Sequence, residues 1–247
     1  MGFNFVPNIK WSSNPNPLPA ELSAGVQVPQ GVANSDVRAP NFVDVAGMSR
    51  LLQSQMARGA AGEQMKKVDG LVTKEFQARF DNTAKQWRCT PLAGPTSRQG
   101  PGKFQFQGGN VFLNHSLGIY LLNTHQPIPK DQISLDIFSV VYSHELLHVL
   151  DETDILKNWL NQKLRAEPTI SRYLVQAQPF VYGNQSQPID QVEREFHAQI
   201  QNTIETPAFN VWATESNRRK DLRDSPSEYK IVQDRVNELR SKYVYKH

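Results

Sequence analysis

The pentapeptide HELLH at residues 144–148 constrains this chain more than any other stretch, because it reads H-E-x-x-H. On a helix, residues four positions apart share a face, so the imidazoles of His144 and His148 can bind a single Zn²⁺ ion. Glu145 directly follows the first histidine, and from there its carboxylate can act as general base on the water that the metal holds. The motif therefore predicts one zinc ion per chain, with His144 and His148 as ligands and Glu145 as the catalytic base.

The flanking sequence predicts that the motif lies on a buried helix. Ser134 is expected to cap this helix, and Asp136 lies in its first turn, where the helix dipole favours an acidic residue. Apolar residues recur at helical spacing on both sides of the motif, at Ile137, Val140, Val141, Leu147 and Leu150. Burying two histidines is costly unless they are paired, and metal ligation would offset that cost. Without a metal, the same histidines would be hydrogen-bonded residues of the core.

A catalytic zinc site needs a third protein ligand and one open position for water. The stretch at residues 192–200 offers Glu195, with Glu193 as the second choice. If these residues are helical, the apolar positions anchor the helix to the core and leave Glu195 facing the HELLH helix. The first interpretation therefore takes His144, His148 and Glu195 as the metal ligands.

Two other residues are alternatives for the third ligand. In metzincins the third ligand lies six residues after the second histidine, and here that position is Asp154. Asp151 occupies the position of the usual glycine. All four methionines precede the motif, however, so the methionine turn of metzincins is missing. Cys89 could bind as a thiolate, as in peptide deformylases, although its neighbours do not fit their motif and a small buried residue is the simpler interpretation. The aspzincin pattern G-T-x-D does not occur downstream.

With Glu195 as third ligand, the chain resembles the gluzincin type of zincin metallopeptidase. More narrowly, it resembles the compact HExxH domains of bacterial toxins and effectors, including those attached to type VI secretion spike proteins. The segments that carry the resemblance are HELLHVLDE at 144–152, EREFHAQ at 193–199 and GGNVFLN at 108–114. The resemblance implies a hydrolase, a zinc metalloprotease that cleaves peptide bonds, and a group that stabilises the oxyanion, for which His197, Tyr182 and Tyr173 are candidates.

The resemblance also implies partners: a protein or peptide substrate and, for a secreted effector, an immunity or inhibitor protein or a component of the secretion apparatus. Two alternatives stay open. One is a non-catalytic HExxH module that acts by binding or regulation, and the other is a zinc amidase that cuts peptidoglycan.

The wider pattern predicts a mostly helical α+β fold, zincin-like, with a small sheet before the HExxH helix. Residues 1–42 are rich in proline and asparagine and are expected to form an extended arm, followed by a single domain over 43–247. Helical spacing is expected over 43–87, with Met65, Val68, Val72, Phe76 and Phe80 on one face. A loop over 88–102, a hairpin over 103–113 and a third strand over 118–122 follow. Helices are expected after Thr153, over 190–204, and from the capping box at 225–228 onward.

Composition limits the remaining function classes. A net charge of +3 is too small to indicate nucleic-acid binding, and a single cysteine excludes an intramolecular disulfide. The first residues lack a Sec signal, and no apolar window suggests a membrane span. We therefore expect a monomer that is cytoplasmic in the producing cell, with export, if it occurs, by a leaderless route.

Overall fold

The computed structural model describes residues 3–12, 14–57, 69–80, 86–174 and 179–244. Its strands are β1 (Phe3–Trp11), β2 (Asn41–Val43), β3 (Gly70–Phe80), β4 (Trp87–Pro91), β5 (Gly102–Phe106), β6 (Gly109–Leu122) and β7 (Phe180–Tyr182). Its α-helices are α1 (Ala20–Ser23), α2 (Val45–Ala57), α3 (Gln132–Asp154), α4 (Leu160–Ala166), α5 (Pro168–Leu174), α6 (Ile189–Arg223) and α7 (Pro226–Val244). The prediction of a mostly helical α+β fold is confirmed.

Contacts along the chain divide it into two compact units. Unit 1 comprises residues 1–8, 76–114 and 156–212, and unit 2 comprises residues 9–75, 115–155 and 213–247. The boundaries fall inside β1, β3, β6 and α6, so each of these elements contributes residues to both units.

Unit 2 is built around helix α3 and the C-terminal part of β6. There β2 pairs in parallel with β6, with Asn41 opposite Tyr120. Alternate residues of β6 and one side of α3 form a continuous apolar core with two residues of α7. Its buried members include Leu117, Ile119, Leu121, Phe138, Val141, Tyr142, Leu146, Val149, Val236 and Leu239.

Unit 1 contains an antiparallel sheet in the order β4-β5-β7. Trp87 lies opposite Phe106 in this sheet, and Gly102 lies opposite Tyr182. Phe196 of α6 covers one face of the sheet, stacking on Phe104 with 3.8 Å between ring centroids. Aromatic packing of this kind makes the unit 1 part of α6 a core helix.

The predicted N-terminal arm contributes ordered structure to unit 2. Leu18 belongs to the apolar core, and the hydroxyl of buried Tyr142 donates a hydrogen bond to the carbonyl oxygen of Arg38. Gln27 N–H donates to Ser143 Oγ at 2.9 Å, so this segment runs along α3.

The sequence predicts helical structure over residues 43–87. Helix α2 (Val45–Ala57) confirms this prediction for its own residues, but Gly70–Phe80 form the strand β3, so the prediction is wrong there. Met65 and Val68 lie outside the described residues, whereas Val72 and Phe76 are buried in the strand β3. The apolar positions 72, 76 and 80 are four residues apart, which fits one face of a helix. It also fits one face of a strand, since four is a multiple of the strand period of two. Burial alternates along β3, as a strand requires.

The predicted hairpin is also wrong, because β5 pairs with β4 and β7. Strand β4 lies at the start of the segment 88–102, which the sequence predicts to be a loop. Gly108 and Gly109 both have positive φ, at 106° and 145°, so the chain does turn there as glycines allow. Beyond that turn the chain continues as β6, one strand through residue 122.

Helix α3 begins earlier than the sequence indicated. Asp131 is its N-cap, with a side-chain oxygen that accepts a hydrogen bond from Ile133 N–H at 3.3 Å. Ser134 Oγ instead accepts a hydrogen bond from Ile128 N–H at 2.7 Å, in the connection before the helix. After Asp154 the chain continues through a π-helical turn, Ile155–Trp159, into α4.

The two C-terminal helices begin where their sequence signals indicate. Helix α6 begins at Ile189 and runs to Arg223, well beyond the predicted end at residue 204. Helix α7 begins at Pro226, which confirms the capping-box prediction.

One described helical stretch, Gln132–Ala166, is long and apolar enough by composition alone to cross a membrane. Half of its most apolar window is buried inside the protein, as in a core helix, and the stretch carries the HELLH residues. Among the described residues there is therefore no clear transmembrane segment.

Candidate metal centre

His144 and His148 lie one turn apart on the same side of α3, in unit 2. Their ring centroids are 5.1 Å apart and the rings are nearly perpendicular, at 85°. The opposite side of the helix, including Phe138 and Leu146, is buried in the apolar core. Because the core fixes the rotation of the helix, both imidazoles point to the same place outside the core.

Asp224 provides a carboxylate to this pair. A single oxygen, Oδ1, lies 3.3 Å from His144 Nε2 and 3.0 Å from His148 Nε2. Ligand atoms of the three residues all lie within 4.8 Å of one another, which makes them a candidate metal site. Two imidazoles and a carboxylate are a ligand set suited to zinc.

The connection between α6 and α7 places Asp224 at this position. It consists of Asp224 and Ser225 alone, so the direction of the two helices fixes both residues. Asp224 N–H continues the hydrogen-bond pattern of α6, donating to the carbonyl of Lys220 at 2.8 Å. Val236 and Leu239 pack α7 into the same core as α3, so the packing of α7 determines where Asp224 lies.

Asp224 and His144 shift the pKa of each other. Burial alone would raise the pKa of Asp224, but hydrogen bonds and charge from His144 and His148 outweigh it and hold this pKa far below its usual range. Burial lowers the pKa of His144, but the hydrogen bond to Asp224 and the charge of Glu145 outweigh this and raise it overall. The ionised carboxylate of Asp224 is thus held between the two imidazoles.

Glu145 is buried beside the histidine pair, with 4% of its surface exposed. The first residue of β3, Gly70, approaches its carboxylate closely: a Cβ built at position 70 would lie 2.5 Å from Glu145 Oε1. The absence of a side chain at Gly70 therefore leaves the space that the Glu145 carboxylate occupies.

Tyr229 of α7 adjoins the same site. Its ring lies 6.3 Å from that of His144, measured between centroids. Burial, together with the charges of Asp69 and Glu145, raises the pKa of Tyr229 to about 12. A tyrosine hydroxyl is protonated at neutral pH even at its ordinary pKa near 10, so this hydroxyl can donate a hydrogen bond.

The residues predicted as third ligand have other partners. Glu195 lies in the unit 1 part of α6, where Oε2 accepts a hydrogen bond from Gln187 Nε2 at 2.9 Å and Oε1 one from Gln191 Nε2 at 2.8 Å. Glu193 is also in unit 1, where its charge acts on Cys89 and His197. The carboxylate that contacts the two histidines is that of Asp224, in place of Glu195.

The alternative ligands are likewise engaged. Asp154 forms an ion pair with Arg219 at 2.6 Å, and Asp151 forms one with Arg223 at 2.9 Å. Cys89 lies on β4 of unit 1, opposite Phe104.

The residues suggested for the oxyanion, His197, Tyr182 and Tyr173, all belong to unit 1. Tyr173 packs on Phe180 with 4.6 Å between ring centroids. In unit 2, Tyr229 is the tyrosine that contacts the histidine pair among the described residues.

Sequence reasoning missed Asp224 and Tyr229 because neither has a motif of its own. Asp224 immediately precedes the capping box at residues 225–228, which marks a helix start and says nothing about metal. Its place between the end of one helix and the start of the next gives no local signal of a metal ligand, since an acidic residue just before a helix N-terminus is common.

Comparison with protein-family models, with curated proteins and with solved structures gives no significant match for this chain.

Proposed function

We propose that this protein is a zinc-dependent hydrolase of peptide bonds, with His144, His148 and Asp224 as metal ligands and Glu145 as general base. The observation that carries the proposal is the contact of one Asp224 oxygen with both histidines of the HELLH motif, at 3.3 and 3.0 Å. It differs from the expectation based on sequence in the third ligand, where Asp224 replaces Glu195.

The residues present fit a zinc ion in two ways. In a tetrahedral site with bonds of about 2.0–2.1 Å, neighbouring donor atoms are about 3.3 Å apart, close to the separations found here. The donor atoms of all three side chains also lie within 4.8 Å of one another, so they can face a single ion. Both properties support a metal at this place.

When bound, zinc would supply a Lewis acid that activates water for attack on a carbonyl carbon. Glu145 adjoins the first ligand, and Gly70 leaves room for its carboxylate beside the site. From this position Glu145 takes the proton of the attacking water and passes it to the leaving amine nitrogen as the C–N bond breaks. The reaction consumes one water and releases a carboxylate and an amine.

Tyr229 is suited to polarise the substrate. Its hydroxyl is kept protonated, it lies on the side of the site formed by α7, and it contacts His144. A hydrogen bond from this hydroxyl to the substrate carbonyl oxygen would stabilise the negative charge that develops there.

The peptide bond as substrate is supported by the HExxH motif and by the resemblance it carries. A role as an exported effector, with an immunity or secretion partner, stays a prediction of that resemblance.

Metal content is the first test. We expect about one zinc per chain in wild-type protein and a large loss in Asp224→Asn, which keeps the shape of the side chain and removes its charge. Glu195→Gln is the matched control and should retain zinc. Zinc lost from Glu195→Gln but retained in Asp224→Asn would overturn the assignment of Asp224 and restore the gluzincin ligand set.

Hydrolysis is the second test, with fluorescently labelled unfolded casein as a general probe. Zinc-loaded wild type should release peptides, and Glu145→Gln should lose at least about a hundredfold in rate while it keeps its zinc. Equal rates in wild type and Glu145→Gln would overturn the catalytic proposal. Full zinc occupancy without any hydrolysis would favour a binding module in which the metal is structural.

A further inference from the structure

The C-terminal part of α6, within unit 2, is joined to α3 by ion pairs that lead directly to Asp224. Arg219 Nη1 lies 2.6 Å from Asp154 Oδ2 and 4.0 Å from Asp151 Oδ1, and one turn further along α6 Arg223 contacts Asp151. The next residue is Asp224.

The order of these contacts is that of two antiparallel helices. Rising residue number on α6, from 219 to 223 to 224, matches falling number on α3, from 154 to 151 to His148. The contact of Asp224 with His148 is thus the last of a series in which Arg219, Arg223 and Asp224 each meet a partner on α3.

The Arg223–Asp151 pair has the geometry that fixes a position most firmly. Arg223 Nε donates to Asp151 Oδ2 at 2.9 Å, and Nη2 donates to Oδ1 at 3.2 Å. Two parallel hydrogen bonds restrain both the distance and the orientation of the guanidinium, which a single contact does not. Asp151 is largely buried, with 12% of its side chain exposed, so the pair is partly shielded from solvent and salt.

This pair has no place in the proposed chemistry, since neither side chain is among the ligands or the base. One effect of the pair on the site passes through the backbone, because Asp224 is bonded to Arg223 and its N–H is held by the carbonyl of Lys220 at 2.8 Å. Fixing the Arg223 side chain on α3 therefore restrains the Cα of Asp224 relative to His144 and His148. The charge of Arg223 also acts directly on His144.

We propose that Arg223 and Asp151 are positioning residues for the metal ligand Asp224, and that their two-point ion pair preorganises the zinc site. This inference rests on the proposed function. Groups that orient metal ligands typically contribute between tenfold and a hundredfold to metal affinity.

The test is the zinc dissociation constant, measured by competition with a chromophoric chelator. Arg223→Gln and Asp151→Asn should each weaken zinc binding by about tenfold or more. The double variant should be no weaker than the weaker single variant, because both changes remove one interaction. Arg223→Lys should lie between, since lysine keeps the charge and loses the fork.

Arg194→Gln is the matched control. Arg194 is on the same helix and pairs with Asp190 at 3.3 Å within α6, and both side chains are largely exposed. It should bind zinc within about twofold of wild type.

The melting temperature of the metal-free variants separates positioning from general stability. A purely structural pair would lower the melting temperature and leave the zinc dissociation constant unchanged in the folded protein. Zinc affinities of Arg223→Gln and Asp151→Asn equal to that of Arg194→Gln would overturn the positioning role while leaving the zinc site in place. Wild-type protein that binds no zinc would instead overturn the proposed function, and this inference with it.

Discussion

Gly70 and Glu145 occupy adjoining space so tightly that no side chain fits between them. A Cβ at position 70 would lie 2.5 Å from Glu145 Oε1 and 2.8 Å from its Cδ. Because Glu145 is the proposed general base, the first residue of β3 sets the position of the reacting carboxylate.

We expect Gly70→Ala to displace the Glu145 carboxylate and to lower the hydrolysis rate. A displacement of about 1 Å at a reacting group can reduce the rate by about a hundredfold. Zinc content should stay at the wild-type level, since the three atoms nearest to a Cβ at position 70 all belong to Glu145, which is not a proposed ligand. The measurement is kcat on labelled casein, together with zinc per chain.

Gly47→Ala is the control for this change. Gly47 lies in α2 of the same unit, where the nearest atom to a new Cβ would be Asp44 Oδ1, at 3.0 Å. Equal loss of activity in both alanine variants would show that the effect is not specific to the space around Glu145.

Tyr229→Phe should lower kcat with little change in KM or in zinc content. Removing one donor to a developing oxyanion typically costs about a hundredfold to a thousandfold in kcat. Tyr182→Phe and Tyr173→Phe, which lie in unit 1, should behave as wild type. A loss of activity in Tyr182→Phe or Tyr173→Phe, with none in Tyr229→Phe, would return the oxyanion role to the residues suggested by sequence.

Glu152→Gln should destabilise the protein strongly, because Glu152 is a buried carboxylate with partners on three other elements. It forms hydrogen bonds with Lys74 of β3 at 2.9 Å, His115 of β6 at 3.0 Å and Ser216 of α6. Breaking a buried ionic network by removing one partner costs about 3–5 kcal/mol of unfolding free energy. The measurement is urea unfolding, with Glu238→Gln as an exposed control on α7 that should unfold as wild type.

The same substitution has a defined pH dependence. Burial would raise the pKa of Glu152, but the charge of Lys74 and the hydrogen bond and charge of His115 outweigh it and hold the pKa well below its usual range. A lowered pKa in the folded state gives stability that is present above the unfolded value, near 4.5, and is lost as the pH falls below it. The difference between wild type and Glu152→Gln should therefore shrink from pH 7 to pH 3.5. A difference that grows over this range would contradict the assignment.

Cys89 should react slowly with thiol reagents at pH 8. Burial, together with the charge of Glu193 and the hydrogen bond to it, raises the pKa of Cys89 to about 11. Since the thiolate is the reactive form, about a hundredfold less of it should be present than for a cysteine with an ordinary pKa. Glu193→Gln should speed labelling by Ellman's reagent, and the single cysteine makes the readout unambiguous. Labelling of the folded wild type as fast as that of the urea-unfolded chain would contradict this.

The sequence was most informative where local spacing decides the outcome. The apolar periodicity around HELLH depends on residues within two turns of each other, and the helix it predicted is α3, with His144 and His148 on one side. The capping box at 225–228 likewise fixed the start of α7, because capping involves neighbouring residues only. Where the spacing fits both a helix and a strand, the prediction was wrong. Val72 and Phe76 are four residues apart, which fits a helix, but both belong to the strand β3.

Only the tertiary structure decided the remaining members of the site. Asp224 meets His144 and His148 from 80 and 76 residues away along the chain, and Gly70 reaches Glu145 from another element altogether. Such contacts are set by how α7 packs on α3 and by which strand β3 joins, and no local pattern encodes either. The placement of His144 and His148 on one side of a helix could therefore be predicted from sequence. The carboxylate that contacts this pair depends on packing, and it is that of Asp224, the proposed third ligand, at the α6–α7 junction.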